Sequence, residues 1–168
     1  MPGADGIRTK NGQRLTAKVV FSPVFNQNRS ALELIQQQLR KIGFDLQIEQ
    51  HTTAETTQIQ QSGAYDYLWY NVTRADPDIL RNQFSTKAGN RSKLAAGNPL
   101  DVALDTQAST VDVAKRKPAA EQAQQLIVDH AYAVPVFELT QVVALSSKAH
   151  GVDFEASSRL QLFDAWLS

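Results

Sequence analysis

The segment that most restricts the fold runs from Leu15 to Gln50, where two strand-like runs flank one helix-like run. Leu15 to Ser22 alternates, with Ala17, Val19 and Phe21 on one face, as a half-buried strand does. Pro23 to Asn28 reads as a polar loop. Ser30-Ala31-Leu32-Glu33 reads as a capping box, in which Ser30 and Glu33 satisfy each other's free amides. Leu32, Ile35, Leu39 and Ile42 then share one helical face, and Gly43 stands where left-handed backbone commonly stops a helix. Phe44 to Gln50 alternates again, with Phe44, Leu46 and Ile48 opposite Asp45, Gln47 and Glu49. Strand, helix and strand make a βαβ unit, which is expected to be parallel and right-handed. The chain is therefore expected to be an α/β protein.

The rest of the first half extends that unit. Asp5-Gly6 and Asn11-Gly12 are turn signals and predict a hairpin that opens the domain. Thr52 or Thr53 caps a short helix running to about Gln61, and Gly63 ends it. The aromatic run from Tyr65 to Tyr70 predicts a largely buried strand, with Tyr65, Tyr67, Leu68 and Trp69 as core. Asp66 inside it belongs on an edge or in a pair. The chain then turns polar through Asn71, Thr73, Arg74 and Asp76 and meets Pro77, which disfavours helix at Asp76 but suits a helical first turn. Such a loop, between a buried strand and a helix start, is where α/β proteins place ligand contacts. Tyr70 and Asn71 offer stacking and hydrogen bonds there. Asp76 and Asp78 either meet a ligand or complement a helix dipole, and Arg74 is either a ligand cation or a solvated loop residue.

Beyond Pro77, Ile79, Leu80 and Phe84 suit a short helix, and Ser85 to Asn98 an irregular loop. Asn98 caps a helix that has Pro99 at its first position and Leu100, Ala103, Leu104 and Ala108 on its apolar face. A further helix spans about Asp112 to His130, with Ala119, Ala123, Leu126 and Ile127 in phase. Pro118 marks either its start or a kink. Val134 to Leu139 and Gln141 to Ser146 read as apolar strands. The closing stretch from Leu160 to Leu167, with Phe163 and Trp166, suggests docking against another surface.

Composition removes several functional classes. Lys plus Arg equals Asp plus Glu at 17 each, and the basic residues are scattered, so nothing steers the chain toward nucleic acid. Without cysteine there is no disulfide, thiolate metal site or cysteine nucleophile. His51, His130 and His150 lack ligand spacing, so neither a metal nor a cofactor is expected. No apolar run approaches the ~20 residues of a membrane-spanning helix. The first residues also lack the basic and apolar regions of a signal peptide. An enzyme would have to draw an acid–base pair from Asp66, Asp76, Asp78 and Glu138, with no histidine partner, nucleophile elbow or phosphate loop nearby. A plain interaction domain is a third reading, supported by the apolar tail.

The order of motifs resembles a known family. Asp5-Gly6-Ile7-Arg8, Asn11 to Leu15, Leu39 to Leu46, the Tyr65-Asp66 strand and Ala75-Asp76-Pro77-Asp78 come first. Asn98-Pro99-Leu100-Asp101, Gln122 to Ile127, Ala133 to Phe137 and Phe163 to Leu167 follow in the same order. Together they resemble the carboxyl-terminal lobe of the family 5 solute-binding proteins, receptors of bacterial peptide, nickel and opine ABC importers. The resemblance implies one lobe of a type II periplasmic-binding-protein-like α/β fold, a mostly parallel sheet flanked by helices. Residues 1–150 would form that lobe, and 151–168 a tail that crosses back to an amino-terminal lobe missing from this chain.

The implied function is solute capture for an importer, without catalysis, with a peptide or similar small polar solute held in an interlobe cleft. The implied partners are the solute, the missing lobe, an ABC permease reached through the intact receptor, and a second copy at high concentration through exposed lobe-interface surface. The implied location is periplasmic or extracellular, with a lipid anchor on the full-length protein as one arrangement. The implied ligand-binding residues are Tyr70, Asn71, Thr73, Arg74 and Asp76. In peptide receptors of the family this loop carries an aspartate that holds the peptide ammonium. Thr73 occupies that position here and Arg74 adds a cation, so a negative or hydroxyl-bearing ligand group is equally compatible.

Overall fold

The parallel pairing expected for Leu15 to Gln50 is what organises the first part of the chain. The computed structural model describes residues 3, 5–23, 26–138, 140, 142–157 and 159–168. Two compact units form, one ending at Asn71 and the other beginning at Val72.

In the first unit, β1 (Thr9–Lys10) and β2 (Gln13–Arg14) make the expected antiparallel hairpin, with Asn11 and Gly12 both at positive φ in its turn. Next come β3 (Thr16–Phe21), α1 (Asn26–Lys41), β4 (Asp45–Gln50), α2 (Thr53–Ser62) and β5 (Tyr67–Leu68). The three strands form a parallel sheet in the order β4-β3-β5, with Val19 opposite both Ile48 and Tyr67. Val19, Phe21, Leu32 and Leu46 make the buried cluster between sheet and α1, flanked by Ile35, Leu39, Phe44, Ile48 and Trp69. The α/β reading, its parallel sheet and the Thr52 cap are all borne out. Thr52 and Glu55 close a full capping box, and Gly63 ends α2 in left-handed geometry.

Gly43 ends α1 as expected. It has φ +78°, and the amides of Gly43 and Phe44 return to the carbonyls of Arg40 and Leu39. A Cβ placed there would lie 2.7 Å from Arg8 Cγ and 3.0 Å from the Gly6 carbonyl oxygen. Gly43→Ala is therefore expected to cost about 1 kcal/mol or more, read as a lower urea midpoint. An unchanged midpoint would show that the turn relaxes freely.

Three expectations for this unit need correction. The helix begins at Asn26, so Ser30 lies inside it and Ser30 and Glu33 form no capping box; Glu33 instead pairs with Arg29 Nε at 2.8 Å, one turn away. The polar residues from Asn26 onward are thus helix rather than loop. Ile42 lies past the last helical residue and is exposed. The aromatic strand is two residues long at the sheet edge, and Tyr67 is 51% exposed. Of its aromatic residues, Trp69 packs on the core cluster. Asp66 extends this edge with a side-chain bond, its Oδ2 accepting from the Lys18 amide at 2.8 Å.

The second unit is built on α3 (Ile79–Phe84), α4 (Pro99–Ser109) and α5 (Val113–Asp129). Asn98 and Asp112 cap α4 and α5 by accepting the amides of Asp101 and Lys115 at 3.0 Å each. Phe84, Leu100, Ala103, Leu104, Ala123 and Ile127 form the core. Helix α5 runs through Pro118, so the proline neither starts it nor stops it. Ala108 is exposed, and the inward position one residue earlier is taken by Gln107, which is fully buried. The loop after α3 is pinned to α4: the Thr86 amide and hydroxyl both donate to the Asp101 carboxylate.

Four short strands close the chain, β6 (Ala149–His150) with β9 (Trp166–Leu167) and β7 (Asp153–Phe154) with β8 (Leu160–Gln161), each pair antiparallel. The two strands expected between Val134 and Ser146 do not form among the described residues; Leu139 and Gln141 lie outside those residues. The side chains of Val134, Val136, Phe137, Val142 and Leu145 in this stretch are all exposed.

Candidate functional site

After Trp69, whose amide donates to the Val20 carbonyl, the sheet ends and a polar stretch runs to the head of α3. Tyr70 and Asn71 close the first unit, while Thr73, Arg74 and Asp76 belong to the opening of the second. The Pro77 turn forms as the sequence suggests. Asp76 Oδ1 accepts the Asp78 amide at 2.8 Å, and the carbonyls of Asp76 and Pro77 accept the amides of Ile79 and Leu80. Asp76 thus takes the helix-start role left open for it.

The same carboxylate also meets Arg116 of α5 in a two-pronged pair, with Nη1 to Oδ2 at 3.0 Å and Nη2 to Oδ1 at 2.5 Å. Asp78 pairs with Arg81 in the same manner, Nε to Oδ1 at 2.7 Å and Nη2 to Oδ2 at 2.9 Å. Gln107 joins the two pairs. Its Nε2 donates to Asp78 Oδ1 at 2.9 Å, and its Oε1 accepts from Arg116 Nε at 3.2 Å and Nη2 at 3.0 Å. The result is a continuous chain, Asp76, Arg116, Gln107, Asp78 and Arg81, that ties the loop to all three helices. The arginine bonds hold both aspartates below the usual carboxylate range. Gln107 and Arg116 were not singled out by sequence reasoning.

These residues border an open hollow of about 560 Å³, lined by Arg74, Asp76, Asp78, Asn82, Thr110 and Arg116, with Ile79, Ala108 and Val111 as its apolar part. The structure therefore brings Arg74 and Asp76 of the expected site together. Thr73 contributes its carbonyl, which accepts from Arg74 Nη1 at 2.7 Å. Among the described residues, no group of three His, Asp or Glu side chains has the geometry to hold a metal ion. No helix of the described residues is long and apolar enough to cross a membrane.

Asp101 adds a pH response to the same unit. Its burial pushes the carboxyl up, but bonds from the Thr86 hydroxyl and amide and from Ser85 win and hold it low. Asp76, Asp78 and Asp101 thus share the sign of a depressed folded-state pKa. Their stabilisation is present above the ordinary aspartate value near 3.8 and is lost as pH falls through the depressed values. Urea midpoints of the second unit should stay level from neutral pH to about 5 and then drop steeply below about 4. A profile that stays level to about pH 2 would overturn this.

No protein-family model matches the chain, and neither does any curated protein. Solved structures do. HbpA2 of Haemophilus parasuis matches with a TM-score of 0.67 at 19% identity, over 91% of this chain and 32% of its own. NikA of Brucella suis, solved with Fe(III)-EDTA, matches with a TM-score of 0.65 at 20% identity, over 77% of this chain and 27% of its own. The periplasmic oligopeptide-binding protein of an oligopeptide ABC transporter from Thermotoga maritima, bound to mannohexaose, matches with a TM-score of 0.64 at 19% identity, over 75% and 26%. The chain spans about a third or less of the length of these three structures. In fold, this chain is similar to one part of such binding proteins, as its resemblance to the family 5 solute-binding proteins implied.

Proposed function

We propose that the chain is the solute-capturing part of a bacterial ABC importer's receptor, contributing one wall of a cleft for a small polar solute. The observation that carries this reading is the hollow at Arg74 and Asp76, which opens where the loop ahead of α3 meets the end of α4 and the first turn of α5. The fold likeness to an oligopeptide-binding protein of an ABC transporter supports it. In this reading Thr73 and Arg74 supply ligand contacts beside the Asp76–Arg116 pair, and the opposite wall comes from an amino-terminal lobe.

The exposed apolar residues between Val134 and Leu167, among them Val142, Phe163 and Leu167, would meet that lobe or, at high concentration, a second copy. The intact receptor would deliver the solute to a permease from the periplasm or the outer cell surface, with or without a lipid anchor. A catalytic reading is less well supported, because Asp76 and Asp78 are held ionised by arginines and neither is placed to exchange a proton near neutral pH.

Native mass spectrometry of the receptor that contains this chain, purified without refolding, tests the reading. A bound small polar solute is expected, and it should be lost on Arg74→Ala. A receptor that carries nothing and binds no peptide, amino acid or oligosaccharide would overturn it. The 168-residue chain alone should bind weakly, with no ligand raising its melting temperature by several degrees.

A further inference from the structure

We infer that the hollow receives a carboxylate of the solute rather than an ammonium, with Arg74 as the group that holds it. This rests on the reading of the hollow as a solute site. Two guanidinium groups, of Arg74 and Arg116, and two carboxylates, of Asp76 and Asp78, line it, and their pairing is unequal. Asp76 is taken up by Arg116 and the Asp78 amide, and Asp78 by Arg81 and Gln107. A cationic ligand would have to break one of these two-pronged pairs before it met a free carboxylate oxygen in good geometry.

Arg74 is committed differently. Its guanidinium lines the hollow and has one bond among the described residues, from Nη1 to the neighbouring Thr73 carbonyl. A guanidinium carries five donors in a planar fork, so an edge remains that fits a carboxylate bidentately. The charges facing this space are those of Arg74, Arg116, Asp76 and Asp78, with Arg81 behind Asp78. Pairing cancels four of the five and leaves the positive charge of Arg74. Asn82 lines the same space with a neutral amide, the Thr110 hydroxyl beside it already donates to the Thr106 carbonyl, and Ile79, Ala108 and Val111 form an apolar flank. Together these features suit a small carboxylic acid with a short apolar body, such as an acylated amino acid.

The experiment follows backbone amide shifts of the ¹⁵N-labelled 168-residue chain at millimolar ligand, where weak binding by one wall is visible. N-acetylglycine supplies a carboxylate without an amine, glycinamide an amine without a carboxylate, and inorganic phosphate a non-planar anion. N-acetylglycine should shift amides around Arg74, Asn82 and Thr110, and glycinamide should not. Arg74→Gln should weaken the N-acetylglycine affinity about tenfold, the scale of one charge-assisted contact. Asp76→Asn should tighten it, because Arg116 is then released to the hollow; a cation site would instead weaken.

Equal response in Arg74→Gln, or weaker binding in Asp76→Asn, would overturn the inference. A stronger response to phosphate would overturn the carboxylate assignment. A response to glycinamide alone would overturn the inference while leaving the hollow a solute site of the opposite charge class. Silence to all three probes at millimolar concentration would overturn the inference, while the solute-site reading stands or falls separately on native mass spectrometry of the intact receptor.

Discussion

Leu104→Ala is expected to lower the stability of the second unit by about 2–5 kcal/mol, the range for deleting a fully buried leucine side chain. Leu104 has no exposed surface and sits among Phe84, Leu100, Ala103, Ala123 and Ile127, so α3, α4 and α5 all border the space it would leave. Small alanines at 103, 119, 120 and 123 let α4 and α5 approach closely, and closely packed helices have little slack to fill such a void. The same part of the chain carries Asp78, Gln107 and Arg116, so the hollow should loosen as the core does. Hydrogen exchange at the amides of α4 and α5 measures both effects. Val102→Ala is the control, because Val102 is 63% exposed on the same helix and should change stability by less than about 0.5 kcal/mol. Equal effects at the two positions would refute this assignment of the core.

Local signals in the sequence were reliable where local energetics decide the outcome. Gly43 and Gly63 stop their helices because left-handed backbone there costs any other residue more, and Thr52 and Asn98 cap because their oxygens reach amides within three residues. The Ser30–Glu33 pattern shows the limit of such signals. A serine three residues before a glutamate caps only if the helix starts there, and one further turn of Asn, Gln and Arg residues moved the start to Asn26. The run from Tyr65 to Tyr70 became a two-residue edge strand, and the described residues between Val134 and Ser146 form none, for a different reason. Alternation shows that a segment can lie in a sheet, but whether it is central, at an edge or unpaired depends on distant chain.

The site divides along the same line. Its loop was legible, because a strand that turns polar and meets Pro77 has few ways to continue. Its partners were not. Arg116 reaches Asp76 across 40 residues and Gln107 reaches Asp78 across 29, and no local spacing marks either contact. One signal was present and unused: Gln107 follows Leu100 by seven residues, so helical phase turned it inward with Leu100, Ala103 and Leu104. A buried amide at such a position implies polar partners, since burying it unpaired is costly.

That amide gives the second large effect. Gln107→Leu keeps similar bulk but removes the donor to Asp78 and the acceptor for Arg116 at once. Each abandoned group was bonded in a half-dry setting, so the loss should be about 2 kcal/mol, reduced to the extent that water enters from the hollow. The loss should be nearly the same at pH 7 and pH 5, because leucine does not titrate. Gln107→Glu separates hydrogen bonding from charge. At pH 7 the new carboxylate keeps Arg116 but lies against Asp78, where the amide nitrogen had sat 2.9 Å away, and like charges at that distance repel. Repulsion and burial raise the new group's folded-state pKa. The penalty should therefore be largest at neutral pH and shrink as pH falls through that raised value, with a protonated carboxyl restoring the donor to Asp78. Urea titrations of both variants at pH 7 and pH 5 measure the difference. A Leu variant as stable as the unsubstituted chain would mean that Gln107 serves only to fill space; a Glu variant that recovers toward pH 5 while a destabilised Leu variant does not would establish the amide as the link between the two ion pairs.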